Sequence, residues 1–169
     1  RPARTVLLAF WDAEEWGLIG STEYVEGRRA LLDAELVAYL NQDGVAGGPF
    51  FAASASPSLA GLLRDVTLVV PDPVTPGASV YDEWLRRAQA AGFTPRLTPP
   101  AAGSDDAPFF AHLGVPSAGY GFQGDGGVYH SDNDGADFMR RLGDPGFGQH
   151  VAAARITANA AWRMADSDL

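Results

Sequence analysis

The stretch Phe10-Trp11-Asp12-Ala13-Glu14-Glu15-Trp16-Gly17 constrains this chain more than any other. It follows Arg4-Thr5-Val6-Leu7-Leu8-Ala9, an almost continuous apolar run of the kind that makes a strand buried on both faces. Charge therefore arrives where such a strand ends, and in open α/β sheets ligands sit at the carboxyl ends of strands. Two consecutive carboxylates in a loop point in different directions. Glu14 and Glu15 can then take separate tasks, one ligating a metal and the other handling the proton of a metal-bound water. A plainer reading is open too: Asp12, Glu14 and Glu15 suit the first turn of a following helix, where acids favour the macrodipole.

A chain of 169 residues with 46% hydrophobic content is expected to form one domain, spanning 1–169, with a sizeable core. No apolar run reaches 18 residues, so no membrane span is expected. A formal net charge of −9 argues against nucleic acid as a partner, because the phosphate backbone would be repelled, and is compatible with binding cations. With no cysteine, disulfides and thiolate zinc sites are both ruled out, so any zinc must be held by histidine and carboxylate. The missing initial Met and the abrupt start into a strand suggest a fragment of something longer.

After the opening strand, Thr22 to Leu32 reads as a surface helix packed on a sheet. A second strand is expected at Leu36-Val37-Ala38-Tyr39-Leu40, ending in Asn41-Gln42-Asp43-Gly44. That repeats the first arrangement of an apolar strand closed by an acid and a glycine, although Asp43 before Gly44 also suits an ordinary turn. Phe50-Phe51-Ala52-Ala53 is a short third strand, and Ser56-Pro57 starts a helix through Leu59, Leu62 and Leu63. Ser79-Val80-Tyr81-Asp82 resembles a capping box before a helix that Gly92 stops. Ser104 is the expected N-cap of a short helix, Ala107 to Leu113, with Asp105 and Asp106 in its first turn and Gly114 closing it. Val115 to Phe122 reads as a last strand, and the glycine-rich Gln123 to Gly127 loop delivers Val128-Tyr129-His130-Ser131-Asp132-Asn133-Asp134. Asp144-Pro145 caps a long helix to about Ala165 whose apolar stripe runs through Phe147, Val151, Ala154, Ala158, Ala161 and Ala165.

Three histidines are present. His112 and His150 fall within helices and read as structural. His130 follows a glycine-rich loop among oxygen-bearing side chains. Acids at the ends of two strands and a histidine after a third would meet at one sheet edge, and Glu, Asp and His are the ligands zinc takes when cysteine is absent.

Taken in order, Trp11-Asp12-Ala13-Glu14-Glu15-Trp16-Gly17, Asn41-Gln42-Asp43, Gly103-Ser104-Asp105 and Tyr129-His130-Ser131 resemble the di-zinc peptidases related to glutamate carboxypeptidase II. The likeness extends from about Arg4 to Asp166 and takes in Ser21-Thr22-Glu23-Tyr24, Val80-Tyr81-Asp82-Glu83-Trp84, Phe109-Phe110-Ala111-His112-Leu113-Gly114 and Gly143-Asp144-Pro145. The resemblance implies an α/β fold with a mainly parallel mixed sheet flanked by helices, zinc-exopeptidase-like but lacking its first strands. It implies peptide substrates and two zinc ions in the complete enzyme. Glu14 would be the general base, Glu15 and His130 ligands of one zinc, and Asp43 a ligand of the other. Tyr129 would donate a hydrogen bond to the tetrahedral oxyanion. Asp105 and Asp134 are candidates for supporting His130 and its loop, alongside turn or cap roles for each.

The chain also departs from the family pattern. The family's site uses a further histidine and a bridging aspartate before the opening strand, and upstream of Glu14 there is only Asp12 and no histidine. Three of the five protein ligands are therefore expected here, holding one zinc or none, with an uncovered opening strand that invites self-association. A non-catalytic scaffold of the transferrin-receptor type is the competing reading, against which stands the retention of Glu14, Glu15, Asp43 and His130 together. A serine hydrolase is excluded by the lack of a G-x-S-x-G elbow.

Overall fold

Tyr39–Asn41 (β1), Phe50–Ala55 (β2) and Ser117–Gln123 (β3) form one sheet with the order β1-β3-β2 in the computed structural model, which describes residues 2–124 and 127–166. β1 runs parallel to β3, with Tyr39 opposite Ser117 and Asn41 opposite Gly119. β2 runs antiparallel to β3, from Phe50 opposite Gln123 to Ala55 opposite Ala118. The sheet is mixed and flanked by helices as expected, its parallel share being one pairing of the two. β3 lies at its centre, and side chains along it alternate in destination. Ala118, Tyr120 and Phe122 enter the main core, where Phe51, Ala53 and Ala55 of β2 meet them.

The helices are Ile19–Gly27 (α1), Arg29–Glu35 (α2), Ala60–Thr67 (α3, entered through a 3-10 turn at Pro57–Leu59), Val80–Ala90 (α4), Ala107–Leu113 (α5), Ala136–Phe138 (α6, continued by a π-helical turn at Met139–Gly143) and Gly148–Asp166 (α7). Leu63, Val66, Val80 and Ile156 from α3, α4 and α7 close the main core. A second, smaller core gathers Val25, Leu32 and Phe109 from α1, α2 and α5 around Trp11, Tyr24 and Tyr39. Tyr39 belongs to this second core and Leu40 to the first, so β1 separates them. Among the described residues no helix is long and apolar enough to cross a membrane.

Several sequence expectations are corrected. The opening run forms no strand: Leu7, Leu8 and Phe10 are 66%, 78% and 92% exposed, and the Arg4 N–H ties its start back by donating to the Ala165 carbonyl at 2.9 Å. An apolar run becomes a strand only when neighbours pair its backbone and cover its faces, and Thr5 to Phe10 has no strand neighbour among the described residues. The single helix expected over Thr22 to Leu32 is two, broken at Arg28 immediately after Gly27. Along α7 the buried positions are Gln149, Ala152, Ala153, Ile156, Ala160 and Ala165, a face rotated from the expected stripe. Alanine occurs on every side of this helix and discriminates poorly, so Ile156, the large aliphatic, decides which side turns inward. The expected glycine-rich loop lies partly outside the described residues, at 125 and 126.

The capping box at Ser79 is present, with the Ser79 hydroxyl accepting from the Asp82 N–H at 3.1 Å and Asp82 accepting in return from the Ser79 N–H at 3.0 Å. One residue on, Glu83 is buried and accepts from Arg86 at 2.7 and 2.6 Å and also from Arg87. The Arg86 bond, with Arg87 in support, lowers the Glu83 carboxyl from an ordinary 4.5 to about 2. Because the folded value is the lower one, this pairing contributes stability above the unfolded pKa and loses it as the pH falls from about 4.5 toward 2. Denaturant titrations across that window should therefore show a steeper acid loss for the native sequence than for Glu83→Gln. Parallel slopes would disprove the linkage.

Candidate active site

Parallel pairing of β1 with β3 places both carboxyl ends at the same edge of the sheet. Asp43 leaves the end of β1, and the chain leaving β3 reaches Tyr129 and His130. The third contribution comes from the turn carrying Glu14 and Glu15. Its backbone is self-braced: the Glu14 carbonyl accepts from Gly17 and Leu18 at 3.0 and 2.8 Å, and the Ala13 carbonyl from Trp16 and Ile19 at 3.3 and 3.2 Å. Closing so tight a turn forces Ala13 and Leu18 to φ 53° and 58°, left-handed values that non-glycine residues rarely adopt. Gly20 is needed beside it, because a Cβ there would lie 2.6 Å from the Asp12 carbonyl oxygen. α1 begins only at Ile19 and has no acid in its first turn. Asp12, Glu14 and Glu15 therefore do not decorate that helix, and the plainer reading of these acids is lost.

Glu14, Glu15, Asp43, Tyr129, His130 and Asp134 line one open cleft of about 560 Å³. His130 Nε2 lies 2.7 Å from Glu15 Oε1, and its backbone is left-handed at φ 57°. The Tyr129 ring stacks on the imidazole with centroids 3.8 Å apart, while Tyr129 itself is 79% exposed at the rim. Partial burial raises the Glu14 carboxyl pKa, and the negative charges of Glu15, Asp43 and Asp105 raise it further against the opposing pull of His130. That is the environment a carboxylate needs to accept a proton and release it again.

Asp105 is buried away from the cleft lining and accepts from the Ser21 hydroxyl at 2.5 Å, tying the 103–106 turn to α1. Asp134 lines the cleft, and its N–H donates to the Ser131 carbonyl at 3.0 Å. Ser104 is not the cap of α5. The N-cap position is Asp106, which makes no side-chain cap bond, and the Ser104 hydroxyl instead donates to Asp43 Oδ2 at 2.7 Å. Burial, seconded by Asp105 and Asp43, pushes the Asp106 carboxyl up. His150, read from the sequence as structural, also borders the cleft; its Nδ1 is held 2.7 Å from Asp144 Oδ2. That carboxylate accepts the Gln149 and His150 N–H groups too, which caps α7 as Asp144-Pro145 suggested.

A zinc ion would need three or four protein donors at about 2.0–2.2 Å. The carboxylate and imidazole present are of the right type, and the 2.7 Å contact between Glu15 and His130 brings both to the same point of the cleft. Among the described residues no group of three or more potential ligands is assembled. The fit is thus in donor chemistry and incomplete in donor number, with the carboxylates of Glu14, Asp43 and Asp134 also lining the cleft.

Residues 1–153 match the family described as Peptidase family M28. The chain is similar to a probable glutamate carboxypeptidase, LAMP1, of Arabidopsis thaliana, 41% identical over 169 residues that cover all of this chain and 24% of the relative. It is also similar to the aminopeptidase NAALADL1 of Mus musculus, 34% identical over 180 aligned positions covering 99% of this chain and 24% of that one. The chain thus spans about a quarter of the length of these curated relatives. Among solved structures, a peptidase M28 precursor from Shewanella amazonensis superimposes with a TM-score of 0.51 at 21% identity, covering 95% of this chain and 31% of that one, which supports the fold.

Proposed function

The chain belongs to peptidase family M28, and from that premise we propose that residues 1–169 are a single domain, the later part of the catalytic domain of a zinc-dependent exopeptidase. One observation carries the reading: Glu14, Glu15, Asp43, Tyr129 and His130, far apart in sequence, line one cleft at the sheet's carboxyl edge. Glu15 and His130 would hold one zinc and Asp43 a second, with ligands outside this stretch completing both. When bound, such ions lower the pKa of water toward ~7 and polarise a carbonyl oxygen.

The chain's own residues then have separate tasks. Glu14, its proton affinity raised by burial and by three neighbouring acids, takes the proton of the attacking water and returns it to the leaving amine. Tyr129, stacked on His130 at the rim, directs its hydroxyl to the oxygen that becomes anionic as the carbonyl turns tetrahedral. Asp105 steadies the 103–106 turn through Ser21, and Asp134 stands in the wall near His130. A second cleft of about 480 Å³ adjoins the first at Asp43, Gly44 and Gly103, which leaves room for substrate on both sides of a bond placed at their junction.

A dipeptide panel tests the proposal on the longer protein that carries this chain. Hydrolysis should be abolished by a chelator and restored by Zn²⁺, and panels blocked at the amino or the carboxyl end separate carboxypeptidase from aminopeptidase action. The 169 residues alone should bind one zinc at most, turn over poorly, and self-associate through the exposed Val6 to Phe10 run. Hydrolysis untouched by chelation would sink the zinc assignment. A longer protein that binds zinc and cleaves nothing would favour a scaffold.

A further inference from the structure

A line of four hydrogen bonds runs from the second core to Asp43. The Trp11 indole N–H donates to the Tyr39 hydroxyl at 2.9 Å, and that hydroxyl donates to Asn41 Oδ1 at 3.1 Å. Asn41 Nδ2 donates to the Ser104 hydroxyl at 2.8 Å, and Ser104 donates to Asp43 Oδ2 at 2.7 Å. The two ends of this line differ in kind. An indole N–H can only donate and an ionised carboxylate can only accept, so every hydroxyl and amide between them is left with one orientation. If the Tyr39 proton pointed elsewhere, the Asn41 amide could turn over and present its oxygen to Ser104, and the single Ser104 proton would leave Asp43.

The anchors of the line are rigid. Tyr39 stacks on Phe109 at 4.2 Å and 10°, and Trp11 packs against Tyr24 and Phe109 at 5.0 and 5.8 Å. Burial pushes the Tyr39 phenol up to about 12, so it keeps its proton under ordinary conditions. Tyr39, Asn41 and Asp43 are spaced two apart from β1 onward, and Asn41 is 7% exposed. The line also joins three separate pieces of the cleft: the Glu14 turn through Trp11, the end of β1, and the 103–106 turn through Ser104.

We propose that Trp11, Tyr39, Asn41 and Ser104 are a polarity-fixed hydrogen-bond wire that positions Asp43, engaging Oδ2 as an acceptor and so turning Oδ1 toward a divalent cation. These are positioning residues and Ser104 is the last of them. The proposal rests on the reading of Asp43 as a metal ligand, and it adds that the direction of the amide and hydroxyl protons, not merely their presence, sets how well Asp43 binds.

Calorimetric titration of Zn²⁺ into the longer protein carrying this chain, with apo melting temperatures measured alongside, tests it. Ser104→Ala should weaken Zn²⁺ binding about 10- to 100-fold, the usual consequence of removing a group that orients a ligand. Ser104→Thr, which keeps the hydroxyl, should restore affinity to within a few-fold. Asn41→Asp is the sharper case. Coulomb attraction alone predicts that an added carboxylate tightens cation binding. The wire predicts weaker binding, because the new carboxylate would draw the Ser104 proton away from Asp43. Tyr39→Phe, which leaves the aromatic stack in place, should also weaken Zn²⁺ binding by freeing the amide. Should Ser104→Ala lose its fold, Asn41→Asp and Tyr39→Phe decide the matter. Unchanged affinity in Ser104→Ala, or tighter binding in Asn41→Asp, overturns the wire while leaving the exopeptidase reading intact; no Zn²⁺ uptake by the native protein overturns both.

Discussion

Glu14→Gln in the longer protein is expected to lower turnover about 10²- to 10⁴-fold, the usual worth of a general base, with zinc content and melting temperature nearly unchanged. The substitution keeps the shape of the side chain and removes its ability to accept a proton. Glu14 sits in a turn whose backbone bonds do not involve its carboxylate, so the fold has little reason to respond. Glu15→Gln and His130→Ala should behave differently. Their atoms approach each other at 2.7 Å across the cleft, and losing either should lower metal occupancy first and activity as a consequence. Metal analysis together with kcat per bound zinc separates the cases. A Glu14→Gln protein that loses its zinc and keeps full activity per remaining zinc would show that the two glutamates have been assigned in reverse.

Phe122→Ala is expected to destabilise the fold by about 3–5 kcal/mol, the range for emptying an aromatic site in a core. Phe122 is fully buried on the central strand, meets Phe51 edge-on at 5.5 Å, and its backbone bonds both Val45 and Gly47, at 2.9 and 2.6 Å. Neighbouring β1 and β2 both hang on this strand, so no nearby segment is free to collapse into the void. For a chain of this size each kcal/mol moves the melting temperature by about 2–4 °C, so a loss on the order of 10 °C is the readout. Phe10→Ala is the internal comparison. Phe10 is 92% exposed, and a substitution there should stay within about 0.5 kcal/mol. Equal losses at the two positions would mean that the described core does not carry the stability of this chain.

Much of the site could be read in the sequence because its signals are local. The Glu14-Glu15 pair, Asp43 before a glycine and His130 after a glycine-rich loop are each legible within a few residues, and their order was enough to suggest the family that comparison then supported. The capping box at Ser79 and the closure of α5 by Gly114 were legible for the same reason, since each is settled by a side chain or a φ value within one turn of helix. Ser104 shows the limit. A serine before a helix start reads as a cap, and only the approach of the 103–106 turn to β1, 61 positions away in sequence, gives its hydroxyl to Asp43 instead.

What tertiary structure alone decided follows from partners that no window of sequence contains. The run from Thr5 to Phe10 has the composition of a buried strand, but burial is a property of what lies alongside, and nothing pairs with it among the described residues. The inward face of α7 was misjudged from an apolar stripe through Phe147 and Val151, because alanines occur on every side; it was set by where Ile156 meets the main core. The spacing of Tyr39, Asn41 and Asp43 in steps of two was present in the amino-acid sequence. The direction of the protons along it was not, because that depends on the indole of Trp11, which reaches Tyr39 only after the second core has packed. The amino-acid sequence thus determined which chemical groups are present and which local turns present them. The fold determined which of those groups meet, since hydrogen bonds and apolar contacts act only between atoms already brought within a few ångströms.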